Sequence, residues 1–377
     1  MSDAIRATGH LVVGGGLAGS MAATRLAAAG REVTLLEKER VAHHKVCGEF
    51  LSREAVMYLR SAGVEPLDLG AATIPVVRLS SKGALVEAAL PFTALSLSRS
   101  VLDKAMLARA EASGCRVMRG AFVEKIERDG GSWRGQVRGG ESWRAANVFL
   151  ASGKHDLCGW ERAAGAQGNL IGFKLHWRLA PAQTAALRGA MELFLFTGGY
   201  GGISLVENDV ANLCLVARRV ELRKLGGWQR LLTSLMRENR HIALRLDGAV
   251  PLWGRPLAIF PIPYGYVAKP GNDLWRLGDQ AAVIPSFTGD GMSIALHSGA
   301  LAVEMYLAAK RADEYHQELN AHLRQSMMLS MQLSRAMVTC IGRAVAPFVL
   351  AAIPNAIAWI ATSTRIPQRA LAIGPAN

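Results

Sequence analysis

Residues 10–37 read HLVVGGGLAGSMAATRLAAAGREVTLLE, and this stretch decides the fold. His10–Val13 is a short apolar strand, Gly14–Gly19 a turn, and Ser20–Ala29 an alanine-rich helix with Gly30 as its C′ residue. Glu32–Glu37 is the second strand, which completes a βαβ unit. The turn carries the spacing Gly14-x-Gly16-x-x-Gly19. In such a turn the first glycine makes the tight bend, the second lets backbone approach a pyrophosphate, and the third packs helix on strand. Leu17 and Ala18 lie within this turn, and the free N–H groups and positive dipole end of the helix that follows face the anion. Glu37 closes the second strand 18 residues after Gly19, followed by Lys38. A carboxylate there accepts hydrogen bonds from an adenosine ribose and repels a 2′-phosphate. Strand, turn, helix, strand and terminal acid together predict dinucleotide binding; they do not separate one dinucleotide from another.

Working outward, a helix is predicted over Ser52–Ala62 with Ser52 as N-cap, and another over Ser100–Ser113 closed by Gly114. From Arg116 to Gly153 short strands are separated by Asp129-Gly130-Gly131 and Gly139-Gly140. Those are hairpin signals, and the stretch reads as a β-meander ending in the apolar strand Asn147–Ala151. Residues 160–265 alternate strands and loops, with one helical piece near Trp228–Asn239. Gly198, Gly199, Gly201, Gly202, Pro261 and Pro263 punctuate the stretch.

A second glycine motif lies at residues 274–299, LWRLGDQAAVIPSFTGDGMSIALHSG. Leu274–Leu277 is a strand that delivers Gly278 and Asp279, and Pro285 makes a turn. Gly289-x-Gly291, followed by Met292, opens a helix predicted over Ser293–Lys310. An acid after a glycine can hold a polyol hydroxyl, and a glycine-rich helix start can face an electron-rich group.

With both motifs in place, the chain resembles the FAD-dependent enzymes of the para-hydroxybenzoate hydroxylase and geranylgeranyl reductase superfamily. The likeness includes Arg99-x-x-x-Asp103 at a helix start, Ala-Ser-Gly at 151–153 and the segment Lys154-His155-Asp156, and it spans about residues 10–310. It implies that Gly278 and Asp279 hold the ribityl chain and that the turn after them lies against the isoalloxazine. It also implies that Arg99 lies on the phosphate or ribityl side, and that Val123 presents its backbone to adenine. The segment HHKVCGEFLS (residues 43–52) has Cys47-Gly48-Glu49 where geranylgeranyl reductases carry Cys-Gly-Gly near the flavin ring. Flavin halogenases carry Gly-Glu-Ser there, but no Trp-x-Trp-x-Ile-Pro segment accompanies it here.

The expected fold is α/β: a Rossmann-type FAD-binding domain with an inserted β-meander, a mixed β-sheet substrate domain, and an apolar C-terminal helical segment. The FAD-binding domain takes residues 1–72, 97–160 and 269–310. The substrate domain takes strands 73–96 and residues 161–268, and the C-terminal helices take 311–377.

The expected cofactor is FAD, with NAD(P)H binding transiently or a separate reductase or ferredoxin as electron donor. The expected activity is hydroxylation of a lipophilic aromatic or polyketide-like metabolite. Saturation of prenyl or other alkene bonds is the alternative within this fold, and a flavin-carrying binding or electron-transfer protein is the alternative outside it. A hydroxylase wants a base for a phenolic proton. The candidates are His176, Tyr200, Lys45 and Glu49. Cys47 reads as a pocket thiol, a redox group or a small apolar residue packed by the flavin. His176 and Trp177 are adjacent in a predicted strand, so one should face inward and the other outward; a structural histidine is the plainer reading. Tyr200 sits in a glycine-rich turn, at the pocket or on the surface.

Composition narrows the field further. Five scattered cysteines without a C-x-x-C pair speak against a disulfide framework or a zinc site, and predict a reduced, cytoplasmic setting without a signal peptide. No metal site is predicted, and G-x-S-x-G and H-E-x-x-H are missing. The net charge of +13 is dispersed and lacks helix-turn-helix or zinc-finger spacing, so no nucleic-acid partner is expected. A solvated basic surface, a membrane surface or an acidic carrier protein remain as readings. Residues 344–364 (AVAPFVLAAIPNAIAWIATST) carry no charge. Pro347, Pro354 and Asn355 favour two short helices that either cover the pocket or touch a membrane face. Before them Leu323, Met327, Met331 and Ser334 share one helix face.

Overall fold

The computed structural model describes residues 5–271, 273–353 and 355–372. Strand β1 (Ile5–Val13), helix α1 (Leu17–Ala28) and strand β2 (Val33–Glu37) form the predicted βαβ unit, with Gly30 left-handed (φ 72°) just beyond the helix. The chain then makes β3 (Phe50–Leu51) and α2 (Arg53–Ser61), whose N-cap Ser52 accepts from the Ala55 N–H as its sequence predicts. A long hairpin, β4 (Ala72–Ser81) and β5 (Ala84–Ser96), leads to α3 (Arg99–Ala112). Four strands follow: β6 (Arg116–Arg119), β7 (Val123–Asp129), β8 (Ser132–Val137) and β9 (Glu141–Leu150).

The first sheet has the order β6-β2-β1-β9-β8-β7. Its β6, β2, β1 and β9 are parallel, while β7, β8 and β9 form the antiparallel meander. One expectation is corrected here. The meander was read from Arg116 onward, but β6 pairs in parallel with β2, because its Val117 and Met118 extend the Rossmann sheet at the edge.

The second sheet is built from β10 (Leu170–Arg178), β11 (Ala190–Phe196), β12 (Gly199–Leu205) and β13 (Ala211–Arg218) together with β3, β4 and β5. Short strands β14 (Val250–Pro251) and β15 (Leu257–Ile259) pair with β10, and β16 (Trp275–Arg276) returns to the first sheet beside β9. Between them lie α4 (Pro181–Leu187), α5 (Arg219–Leu225), α6 (Trp228–Glu238) and α7 (Arg240–Arg245). A single helical piece was expected there. Pieces of six or seven residues are too short to show a helical period in sequence.

The residues Gly198–Gly202 also depart from expectation. Gly198 turns the chain (φ 77°), but Gly199–Leu205 is an inner strand of the sheet. A Cβ on Gly199 would lie 2.4 Å from the Phe196 ring, and one on Gly201 2.4 Å from the Phe194 ring. The glycines therefore make room for aromatic rings crossing from β11.

The chain closes with α8 (Gly291–Leu307), α9 (Ala312–Met337), α10 (Cys340–Ala352) and α11 (Ala356–Ser363). α1 and α8 bury a shared face of Leu17, Met21, Ala22, Leu296 and Ala300 against the parallel sheet, and this core joins both glycine motifs. Leu323, Met327, Met331 and Ser334 are buried along one side of α9. Pro347 lies within α10, and Pro354 falls outside the described residues.

Candidate active site

At the first glycine turn, Gly14 adopts φ 105°, and a Cβ there would lie 2.4 Å from the Ala151 carbonyl oxygen. A Cβ on Gly19 would lie 1.9 Å from the Gly14 carbonyl. Only glycine permits this approach of α1 to the strand ends. Gly16 is different. A Cβ there meets nothing closer than Arg99 Nη2 at 3.7 Å and Lys45 Nζ at 3.8 Å. The open side of the turn thus faces two cations, both of which pair with Asp103 (Arg99 Nε to Oδ1 2.9 Å, Lys45 Nζ to Oδ2 2.8 Å). Two positive groups against one carboxylate leave a surplus charge beside free helix N–H groups, the setting a pyrophosphate requires. Lys45, a candidate base in sequence, stands at this phosphate end, because its partner Asp103 belongs to α3. Glu37 is buried at the end of β2, accepting from Gly15 N at 2.7 Å and Glu39 N at 2.9 Å. Lys38 and Val123 line the same end of the cavity.

The second motif meets the first. Gly278 (φ 58°) brings its Cα face to Ala18, where a Cβ would stand 3.1 Å from the Ala18 Cβ. The Gly278 N–H donates to Ser298 Oγ at 2.8 Å. Asp279 follows, partly exposed and 3.7 Å from Lys154 Nζ. Gly289 is left-handed (φ 71°) with Phe50 in the place of a side chain, Gly291 opens α8 with nothing within 4 Å of a Cβ, and Met292 is buried. Leu17, Ala18, Gly278, Asp279, Gly289 and Gly291 all border one cavity of about 980 Å³, at the upper end for ligand pockets.

The middle of the cavity is walled by the Cys47–Glu49 loop. Glu49 has a left-handed backbone (φ 58°), and its carbonyl accepts from Leu97 N at 3.2 Å and Ser96 Oγ at 3.0 Å. Its carboxylate is fully buried. It accepts from Lys174 Nζ, from Arg99 N at 2.7 Å, and bonds His176 Nε2 at 2.9 Å. Burial alone would raise the Glu49 pKa, but Lys174 and His176 outweigh it and hold the acid ionised. Lys174 and His176 are two residues apart on β10 and so share a face.

His176 and Trp177 are both buried, contrary to the expectation that one faces outward. Helix α6 covers the Trp177 side with Leu231 and Leu235, and Glu49 covers the other. His44 packs edge-on against His176 at 4.8 Å, and Trp253 stacks on His176 at 4.8 Å. Burial, then Lys174 and His176, bring the His44 imidazole down to about 4, so it is neutral near pH 7. The ligand-type atoms of His44, Glu49 and His176 lie within 4.8 Å of one another, but the Lys174 ammonium already provides the positive charge on Glu49.

Tyr200 lies in β12, buried at the cavity wall, with its hydroxyl 3.3 Å from Ser334 Oγ. Burial pushes this phenol up to about 12, and the Cys214 thiol likewise to about 12. Cys47 is half-buried at the same wall; its carbonyl accepts from Asn212 Nδ2 at 3.2 Å. Beyond this point the cavity turns apolar, bounded by Val77, Leu90, Met191 and Leu193 of the second sheet and by Ile357, Ile360 and Ala361 of α11. Arg365, after α11, pairs with the buried Asp290 (2.6 Å) between the two glycines of the second motif.

Residues 7–148 match the family model described as FAD binding domain. The chain is an FAD-dependent oxidoreductase that resembles the superfamily of para-hydroxybenzoate hydroxylase and geranylgeranyl reductase. It is 26% identical over 78% of its length to menaquinone reductase of Mycolicibacterium smegmatis, covering 75% of that protein. It is 28% identical over 81% of its length to digeranylgeranylglycerophospholipid reductase 2 of Methanopyrus kandleri, covering 78% of it. Among solved structures, halogenase PltM in complex with phloroglucinol and FAD superposes with a TM-score of 0.73 at 14% identity, over 87% of this chain and 76% of that one. At that identity the likeness is one of fold. The residues of this oxidoreductase fit FAD. The open Gly16 face with Arg99 and Lys45 suits the pyrophosphate, Glu37 lies where an adenosine would end, and Asp279 stands at the junction of the two motifs.

Sequence reasoning did not single out Lys174, His44, Cys214, Trp253 or the Asp290–Arg365 pair. Lys174 left a signal, a cation two residues from His176 within the mostly apolar stretch Leu170–Trp177. The others depend on contacts between distant segments.

Proposed function

We propose that this oxidoreductase saturates an alkene bond in a lipophilic, isoprenoid-bearing substrate. The observation that carries the reading is the single cavity, which runs from the phosphate turn to an apolar end under α11. A bulky hydrocarbon chain suits that end, and the two relatives described above are named menaquinone reductase and digeranylgeranylglycerophospholipid reductase 2. When bound and reduced, FAD supplies a hydride to one alkene carbon. The other carbon needs a proton from the protein. Glu49, the carboxylate in this wall, is committed to Lys174, His176 and Arg99 N–H. The Tyr200 hydroxyl is tied to Ser334. We assign the proton to the Cys47 thiol, which returns to its protonated form from solvent. Electrons reach the flavin from NAD(P)H or from a protein donor.

Hydroxylation of an aromatic ring is the second reading. One observation favours it: His44 borders the cavity as a neutral imidazole whose Nδ1 has no partner among the described residues, so it could take a phenolic proton. The two readings separate in one experiment. Flavin-loaded protein is reduced without air and mixed with digeranylgeranylglycerophospholipid or menaquinone. After return to air, which reoxidises any menaquinol to the quinone, a product heavier by one H₂ unit supports saturation of an alkene. A product that forms only with oxygen and is heavier by one oxygen atom establishes hydroxylation in its place.

A further inference from the structure

Helix α10 presents Ile341, Val345, Phe348 and Val349 to solvent, at positions i, i+4, i+7 and i+8 that share one face. Ile341 and Phe348 are 77% and 76% exposed, values unusual for large apolar side chains on a folded surface. Ile353 and Trp359 (60%) continue the exposed apolar surface into α11. The opposite side of α11, through Ile357, Ile360 and Ala361, walls the apolar end of the substrate cavity. One helix therefore separates bound substrate from an exposed greasy surface, within a run (344–364) that carries no charge.

Basic groups lie at one end of this helix. The Arg343 carbonyl at the start of α10 accepts from Ser81 Oγ at 3.0 Å, and Arg240 N donates to the Lys82 carbonyl at 3.3 Å. These bonds fix the exposed Lys82 and Arg240 beside the N-terminal end of α10. The chain as a whole is +13. No single described helix is long and apolar enough to cross a membrane, and α9 and α10 meet at 112°. An apolar helix face beside basic residues is instead suited to lie in the interface of an anionic bilayer.

We infer that the α10–α11 face seats on an anionic lipid bilayer, and that α11 is the wall past which the substrate enters the cavity from that bilayer. The second half of this inference rests on the lipophilic substrate proposed above; the first does not. The test uses flavin-loaded protein co-sedimented with vesicles of phosphatidylglycerol and phosphatidylcholine, or of phosphatidylcholine alone, at low and high salt. Wild-type protein should pellet with the anionic vesicles at least tenfold better than the double variant Ile341→Ser/Phe348→Ser, and raised salt should weaken binding.

Equal flavin absorbance in both proteins shows that the variant is folded; if the flavin is lost, Phe348→Ser alone is compared. Equal pelleting of variant and wild type overturns the docking face. So does an oligomer, seen by light scattering, that the variant abolishes without any vesicle binding, since the face would then cover a second copy. Turnover of detergent-dispersed substrate is measured alongside. If it persists while vesicle binding fails, only the docking inference falls. If vesicle binding holds while no isoprenoid lipid is turned over, the substrate reading falls and the docking stands.

Discussion

His176 Nε2 lies 2.9 Å from Glu49 Oε2, bonding an inner face of the second sheet to the loop that carries Cys47. With Lys174 on the other carboxylate oxygen, this buried set fixes the middle wall of the cavity. Replacing one member of a buried ion pair leaves the other charge uncompensated. Glu49→Gln should destabilise the protein by about 3 kcal/mol in denaturant unfolding. Glu49→Gln/Lys174→Met removes both charges while the amide keeps a partner for Arg99 N–H, and should recover most of that loss. Strictly additive losses would mean that the two ions do not act as a pair.

Gly16→Val should leave the apoprotein folded, because Gly16 has an extended backbone (φ −74°, ψ −175°) and no atom within 3.7 Å of a Cβ. The branched side chain would fill the face toward Arg99 and Lys45. Purified protein should melt as the wild-type apoprotein does but lack the flavin band near 450 nm; full flavin content would place the pyrophosphate elsewhere.

If Asp279 holds a ribityl hydroxyl of FAD, as proposed, Asp279→Ala removes a charge-assisted hydrogen bond. Flavin affinity should fall by about 1.5–3 kcal/mol, roughly one to two orders of magnitude in Kd by titration. An unchanged Kd would remove Asp279 from the cofactor site.

Cys47→Ala should retain FAD yet lower kcat far more than it raises KM, and Tyr200→Phe should leave kcat nearly unchanged, since that hydroxyl is turned to Ser334. The reverse ranking would transfer the proton to Tyr200.

Part of the pH dependence of stability follows from the buried His297 and the half-buried His44, opposed by one acid. Burial, then His322 and Arg25, bring His297 down to about 3, and His44 is at about 4. Below the usual histidine range near 6.5 the unfolded chain takes protons that the folded one refuses, so stability falls as pH drops from about 6.5 toward 4. Asp290 is pushed up to about 7 by burial, against the pull of Arg365. It binds a proton in the folded state first, so over the same window it adds stability on acidification. Melting temperature should fall between pH 6.5 and 4. His297→Gln should flatten that fall and Asp290→Asn should steepen it. A wild-type curve that rises toward pH 4 would contradict the assignment.

The Rossmann core was legible in the sequence because its signals are local. A strand, a glycine turn and a helix within thirty residues specify their own backbone, and the N-cap Ser52 and the hairpins at Asp129-Gly130-Gly131 and Gly139-Gly140 do the same. Where several strands share a sheet, local reading failed. Gly199-Tyr200-Gly201-Gly202 has the composition of a turn and lies within the sheet, because rings from β11 occupy the space that side chains would take.

The amino-acid sequence alone determined the nucleotide-binding architecture, both glycine motifs and the uncharged C-terminal run, since each is written in adjacent residues. Tertiary structure alone decided that Lys174 and His176 converge on Glu49, that Lys45 pairs with Asp103 beside the first glycine turn, and that α11 roofs the apolar cavity. Those facts depend on which distant segments share buried space, and a buried charge finds its partner through packing across the chain.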